Sequence, residues 1–274
     1  MRVTRHDHAR GILDFSEGLR HFTLHRWQPS AQGSPWIDSY WVVAWELPEG
    51  LAHRQVNISH ASVTIAFEPE GSLLYGVPGR TFVRVIRGSG CVFGIKFRPG
   101  GFYPFFGRSL RPLTGRIVAA ADALGPVARG WLTAVEHAAG DEERVRLSDG
   151  FWSARAAGPP PVPAVGAPAA TAAAETIIAD RTILTVAAAA TAAGVTVRTL
   201  QRLFRCEVGI GPKEVIRRYR LQEAAERLLR EPSLACGELA LAMGYFDQAH
   251  FIRDFKAVVG ATPEVYRRRQ RSTL

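Results

Sequence analysis

The chain has 274 residues, more than one compact domain commonly holds, and its 47% apolar and 9% aromatic content is enough for packed cores, which excludes a wholly disordered protein. Its 34 Lys+Arg against 25 Asp+Glu give a net charge of +9, which fits a polyanionic partner. Cys91, Cys206 and Cys236 lie far apart with no CxxC pair, the start MRVTRHDHARGILDF lacks a signal-peptide core, and no apolar run reaches membrane-spanning length; a soluble protein of the reducing cytoplasm is expected, with no disulfide framework and no membrane partner.

In chain order, His6 and His8 fall in a terminus expected to be disordered. Trp27, Trp36, Tyr40, Trp41 and Trp45 either build a core or line a pocket for an apolar effector. SVTIAF, residues 62–67, alternates Val63, Ile65 and Phe67 as a strand does. TFVRVIRG and CVFGIKF read as two strands joined by a tight turn at Gly88 and Gly90. Gly88, Gly90 and Gly94 lack the spacing and following helix of a dinucleotide loop, and are read as a turn and a bulge. Arg98, before Pro99-Gly100-Gly101, either meets an anionic ligand or pairs within the domain at a strand end. Residues 121–139 read as helix broken at Gly125–Pro126. AAGPPPVPAVGAPAATAAA, residues 156–174, carries no charge and reads as a semi-stiff, solvated linker.

Beyond it the pattern turns helical, with breaks at Gly194, Gly209 to Pro212, Glu231–Pro232, Gly244 and Gly260 to Pro263. Residues 176–274 hold 16 Lys+Arg and 10 Asp+Glu, a net of +6; the rest of the chain, with 18 and 15, nets +3. Two segments repeat one order: small-residue helix, Gly, polar start, helix, Gly, Pro. They are TVAAAATAAGVTVRTLQRLFRCEVGIGPKEVIR and LACGELALAMGYFDQAHFIRDFKAVVGATPEVYR.

On a wheel of 100° per residue, Val197, Leu200, Leu203 and Phe204 cluster on one side of the first repeat's second helix, opposite Arg198, Arg202 and Arg205 with Gln201 at the edge. In the second repeat Phe251, Phe255 and Val258 cluster, opposite Arg253 flanked by Ala249, His250 and Lys256. Arg matches guanine, Gln matches adenine, and an Ala methyl meets a thymine methyl, so both outer faces suit the major groove. Gly194 and Gly244 supply positive-φ turns, and Thr196 and Asp247 supply N-caps, as helix-turn-helix geometry requires. A basic solvated face is the competing reading for either helix alone. A zinc site at His250 is not assigned, because Asp254 is suited to pairing with a nearby Arg.

Residues 178–269 resemble the DNA-binding domain of the AraC/XylS family of transcriptional regulators, through TLQRLFRCEVGIGPKEVIR and GYFDQAHFIRDFKAVVGATPEVYR. The resemblance implies seven helices: two helix-turn-helix units bridged by a long helix from about Pro212 to Leu229. It implies that Arg198, Gln201, Arg202, Gln248, Ala249, His250 and Arg253 touch base edges of double-stranded DNA. Thr196, Arg205 and Lys256 would hold phosphates, with the Arg217, Arg218, Arg220 cluster as a further phosphate candidate. Phe246 departs from the small polar residue frequent at its position, and Cys236 stands where a branched aliphatic is usual. The first half, most tellingly GIKFRPGGFYPFFG, resembles N-terminal domains of such regulators, which implies binding of a small-molecule effector, formation of a homodimer, or both; Arg98 and Trp41 are its effector candidates.

The expected architecture is thus a two-domain α+β protein. A β-rich domain with helices over 1–155 precedes a linker over 156–175 and an all-α double helix-turn-helix domain over 176–270. The expected function is a one-component transcriptional regulator acting with RNA polymerase. No catalytic set, metal site or cofactor is expected. Two alternatives stand: a sequence-tolerant architectural DNA binder, and a DNA-repair alkyl acceptor, which would need Cys91 as a reactive thiol.

Overall fold

The computed structural model describes residues 20–271 apart from 58–59, 80–81, 159–166 and 232. His6 and His8 lie outside the described residues. Six antiparallel strands, β1 (Thr23–Trp27), β2 (Ile37–Glu46), β4 (Thr64–Glu68), β5 (Gly71–Tyr75), β7 (Ser89–Phe97) and β8 (Ile117–Ala119), form one sheet in the order β1-β2-β7-β4-β5-β8. β3 (Ala52–Asn57) and β6 (Phe82–Arg87) pair as a second, two-stranded sheet.

β6 and β7 therefore do not form the hairpin expected around Gly88. They are consecutive but belong to different sheets, and Gly88, at φ 52°, carries the chain from one to the other. Gly90 and Gly94 do not mark a bulge either; the register shift lies in β2, between Ile37 and Ser39. The two glycines admit close approach: a Cβ on Gly90 would come within 2.3 Å of the Trp45 ring, and one on Gly94 within 2.1 Å of the Trp41 ring. Both indoles lie on bare backbone, which is why glycine stands at these two points of a strand.

Alternation along β2 and β7 divides the core. Tyr40, Val42, Phe93 and Ile95 face α3 (Arg129–Glu136) and α4 (Asp141–Ala157), where Trp131 and Trp152 meet edge to face at 5.4 Å and Phe97 meets Trp152 at 5.0 Å. Val43 and Trp45 face the small sheet through Ile86. Before α3 come α1 (Tyr103–Phe106), a 3-10 turn (Arg111–Leu113), α2 (Ala120–Leu124) and a second 3-10 turn (Pro126–Ala128). Gly125, at φ 73°, breaks the 121–139 segment where the sequence places the break.

The second half holds α5 (Ala167–Ala179), α6 (Val186–Ala192), α7 (Val197–Leu203) with a π-helical turn (Phe204–Val208), α8 (Pro212–Arg230), α9 (Cys236–Ala242), α10 (Gln248–Val259) and α11 (Pro263–Arg271). α5 corrects the linker reading. Residues 156 and 157 end α4, 159–166 lie outside the described residues, and the alanine-rich remainder is helix with Ala170, Ala173, Ala174 and Ile177 buried. Alanine is the strongest helix former, and its small side chain lets a helix pack closely, so the missing charges mark burial there rather than a solvated tether.

Two apolar clusters organise the whole. One is continuous from the β-rich half through α5, α6 and α7 to the first two turns of α8, ending at Val215 and Ile216. The other begins at Leu221 on the same helix and gathers Leu228, Leu239, Phe251, Phe255 and Tyr266. α8 is thus the beam that both cores share.

Candidate nucleic-acid interface

Each helix-turn-helix unit is built from local rules. In the first, Thr185 caps α6 by accepting from the Ala188 N–H (3.0 Å), Gly194 turns at φ 65°, and Thr196 caps α7 by accepting from the Thr199 N–H (3.1 Å). In the second, Gly244 turns at φ 75°, and the Asp247 carboxylate accepts from the N–H groups of Ala249 (2.9 Å) and His250 (3.3 Å). Both caps fall where the sequence puts them.

The anchoring faces agree with the wheel in most places. Leu200, Leu203 and Phe204 are buried under α7, and Phe251, Phe255 and Val258 under α10. Val197 does not join them; it is 39% exposed at the first turn. The wheel also assumes one α-helix through Arg205, whereas the chain widens into the π-helical turn, which carries Arg205 and ends at Gly209, φ 96°.

On the outer faces, Arg198, Arg202 and Arg205 are exposed and Gln201 is half-buried. Gln248, Ala249, His250, Arg253 and Lys256 are all exposed. Thr196 is exposed too, with its hydroxyl engaged in the cap and 2.9 Å from that of Thr199. Cations and hydrogen-bonding groups thus project from two helices whose other sides are apolar.

The arginine cluster of α8 is placed differently from its expected phosphate role. Arg217 donates to Glu214 (3.0 Å) and to Asp254 of α10 (3.2 Å). Arg218 is buried and donates to Glu214 (2.9 Å) and to the Pro78 carbonyl of the β-rich half (2.6 Å). Arg220 donates to the Leu184 carbonyl. Guanidinium forks satisfy several acceptors at once, so this cluster pins α8 to its neighbours. Asp254 gathers three partners: Arg217, the Tyr245 hydroxyl, which donates at 3.0 Å, and the His250 ring nitrogen at 3.6 Å. Burial, then the Asp254 charge, raises the Tyr245 phenol well above its usual range, which keeps it a donor.

A joint between the halves was not legible in the sequence. The Leu110 N–H donates to the Cys206 carbonyl (2.7 Å), and the Thr114 hydroxyl to the Gly209 carbonyl (2.8 Å). Arg98 donates through Nε to the Ser34 carbonyl (2.6 Å) and pairs with Glu175 of α5 at 2.5 Å. Gly100, at φ 80°, meets Thr171: a Cβ there would stand 3.0 Å from its hydroxyl. The RPGG turn therefore docks α5, and of the two readings of Arg98 an ion pair holds, made across the joint rather than within the domain. Under the π-helical turn lies Glu207, 5% exposed with Oε2 lacking a hydrogen-bond partner; burial pushes its pKa up to about 7 against the opposing pull of Arg202.

Trp41 packs on Gly94, and beside it the face of the large sheet opposite Tyr40 and Ile95 carries charge. Asp38 and Lys96 pair at 3.3 Å, and Arg26 stands opposite Trp41 in the β1–β2 register. Asp38 keeps 42% of its side chain open. Burial alone would raise its pKa, yet Lys96, the Ser39 hydroxyl and His60 hold it below the usual carboxylate range. Arg26 is lowered by burial, with Asp38 opposing the shift. Cys91 is half-buried; burial pushes its thiol up, the opposite of what an alkyl acceptor needs. Cys236 is half-buried against the second core and likewise raised by burial. Among the described residues, no helix is long and apolar enough to cross a membrane.

Comparison with known proteins agrees with this geometry. Residues 189–269 match a family described as a helix-turn-helix domain, and residues 25–119 one described as a domain of unknown function, DUF6597. The HTH-type transcriptional regulator GlxA of Rhizobium meliloti (strain 1021) is 42% identical over 80 residues, 29% of this chain and 24% of that protein. The HTH-type transcriptional activator AarP of Providencia stuartii is 41% identical over 68 residues, 25% of this chain and 50% of that protein. Among solved structures, the C-terminal domain of AraT, a response regulator from Geobacillus stearothermophilus, is 31% identical, covering 37% of this chain and 84% of that one with a TM-score of 0.34. The chain spans a quarter to a half of the length of these two curated relatives. The fold and its outer faces define a two-part protein with a β-rich half and a double helix-turn-helix half. Residues 189–269 are a helix-turn-helix domain of the AraC type.

Proposed function

We propose that this protein is a cytoplasmic, sequence-specific regulator of transcription that reads two adjacent major-groove segments of double-stranded DNA with α7 and α10. The observation that carries this reading is the pair of capped helices, each buried on one side and exposing Arg, Gln, His or Ala on the other. Arg198, Gln201, Arg202, Gln248, Ala249, His250 and Arg253 are the base-reading set; Thr196, Arg205 and Lys256 are the phosphate contacts. The uncharged readers Gln201 and Ala249 favour specific recognition over an architectural role, because they add no phosphate affinity. The DNA-binding unit is taken to begin at α5 rather than at residue 176, since α5 packs into the core beneath α7.

The β-rich half acts as sensor or dimerisation module, and its state changes operator occupancy or contact with RNA polymerase. A small polar effector would meet Arg26, Asp38 and Lys96 near Trp41; Arg98, engaged with Glu175, transmits rather than binds. Selection of bound duplexes from a random pool tests the main reading. The selected site should bind at least about a thousandfold tighter than random duplex, roughly 4 kcal/mol. Equal affinity for both would overturn it.

A further inference from the structure

Phe246 is the most exposed large apolar side chain among the described residues, at 102%. It stands one residue before the Asp247 cap of α10, at the end of the helix that presents Gln248, Ala249 and His250. An apolar residue at this position ordinarily folds back on the fourth residue of its helix. Here that residue is Phe251, which is fully buried and already flanked by Tyr245 at 5.4 Å and Phe255 at 5.6 Å. Tyr245 has taken the inward place. The chain bends at Phe246 between buried Tyr245 and the Asp247 cap, and the Phe246 ring is left wholly in water. The turn thus leaves a second aromatic ring in water, beside the exposed Gln248, Ala249, His250, Arg253 and Lys256 of α10.

We propose that Phe246 is a specificity-determining DNA contact, its ring lying against the C5-methyl of a thymine at the edge of the segment read by α10. This rests on the DNA-reading function above. An apolar side chain gains from a thymine methyl and gains nothing from a phosphate, so the contact selects sequence without adding charge. It complements Ala249, whose methyl group is too short to reach beyond the bases directly under the helix axis.

The test pairs protein and DNA changes in the full chain, using the duplex selected by wild type. Phe246→Ser should weaken binding to that duplex about tenfold and leave random duplex unaffected. Replacing each thymine of the α10 segment by uracil, which lacks only the methyl, should at one position weaken wild type by a similar factor and leave Phe246→Ser unchanged. Phe246→Leu should retain part of the preference. Leu241→Ser, which removes another exposed apolar group of the same unit from the first of its two helices, should behave as wild type. Thermal melts of the variants should coincide, because the ring touches no core.

Equal loss on selected and random duplexes, or no thymine whose methyl couples to residue 246, overturns the proposal. So does unchanged DNA binding with loss of transcription by RNA polymerase, which would assign the ring to a protein partner. If wild type itself shows no preferred duplex, the DNA-reading function fails and the proposal with it. A preferred duplex bound equally by Phe246→Ser removes the proposal alone.

Discussion

The two helix-turn-helix units share a sequence pattern and differ in how they are mounted. The first is continuous with the β-rich half: Leu200, Phe204 and Val208 lie in the same apolar cluster as Tyr40 and Phe97, and the loop from Leu110 to Thr114 holds the π-helical turn by two hydrogen bonds. Its terminal glycine, Gly209, is buried, and a Cβ there would stand 3.0 Å from the Thr114 hydroxyl and 3.3 Å from the Leu110 carbonyl. The second unit has a core of its own, to which the β-rich half adds Val56, and its terminal glycine, Gly260, is exposed. A change in the β-rich half therefore reaches α7 directly and reaches α10 chiefly through α8 and the Arg217–Asp254 pair. α7 is coupled to the β-rich half; α10 is held at the far end of a beam.

The largest effect that separates the units should come from Phe255→Ala. It empties a fully buried site of the second core, at a cost of about 3–5 kcal/mol, and should melt that unit while the first half keeps its own transition. Calorimetry reads this as two transitions where wild type shows them closer together; a single transition shifted as a whole would mean the cores are not separate.

Glu207 sharpens the comparison from the other side. Its folded pKa of about 7 lies above the ordinary value of about 4.3, so the fold favours the protonated form. Its contribution is fully present below about pH 4.3 and is lost as pH rises through 7, a loss on the order of 3 kcal/mol. Urea titrations at several pH values should show this slope in the first unit, and Glu207→Gln should remove it.

Arg253→Ala should cost on the order of 1–3 kcal/mol on the selected duplex and relax one base position, while Arg205→Ala should weaken all duplexes alike and flatten the salt slope by about one. Binding isotherms across a salt series distinguish the two. The smallest effect is expected from Thr114→Val, which removes the bond to the Gly209 carbonyl at about 1 kcal/mol. It should alter DNA binding through the first unit only, seen as lost discrimination in the α7 segment with the α10 segment unchanged.

Much of the DNA-binding half was legible in the sequence because its determinants are local. Gly194 and Gly244 can hold positive φ, Thr196 and Asp247 can cap the next residues, and apolar spacing sets which side of a helix is buried. These choices are made within a few residues of chain. Val197 escaped because it stands at the exposed first turn of α7, and the π-helical turn escaped because the wheel assumes an unbroken period of 3.6; the Leu110 N–H meets the Cys206 carbonyl within that turn.

What the tertiary structure alone decided depends on partners distant in sequence. Gly88 looks like a hairpin turn until β6 finds β3 and β7 finds β2. The charge-free alanine stretch looks like a tether until α5 meets the RPGG turn and the base of α7. The arginines of α8 look like phosphate ligands until Asp254 and the Pro78 and Leu184 carbonyls come within reach. A side chain's type fixes what it can bond; which acceptor arrives first is set by the packing of elements far apart in sequence, from 36 residues for Arg220 and Leu184 to 140 for Arg218 and Pro78.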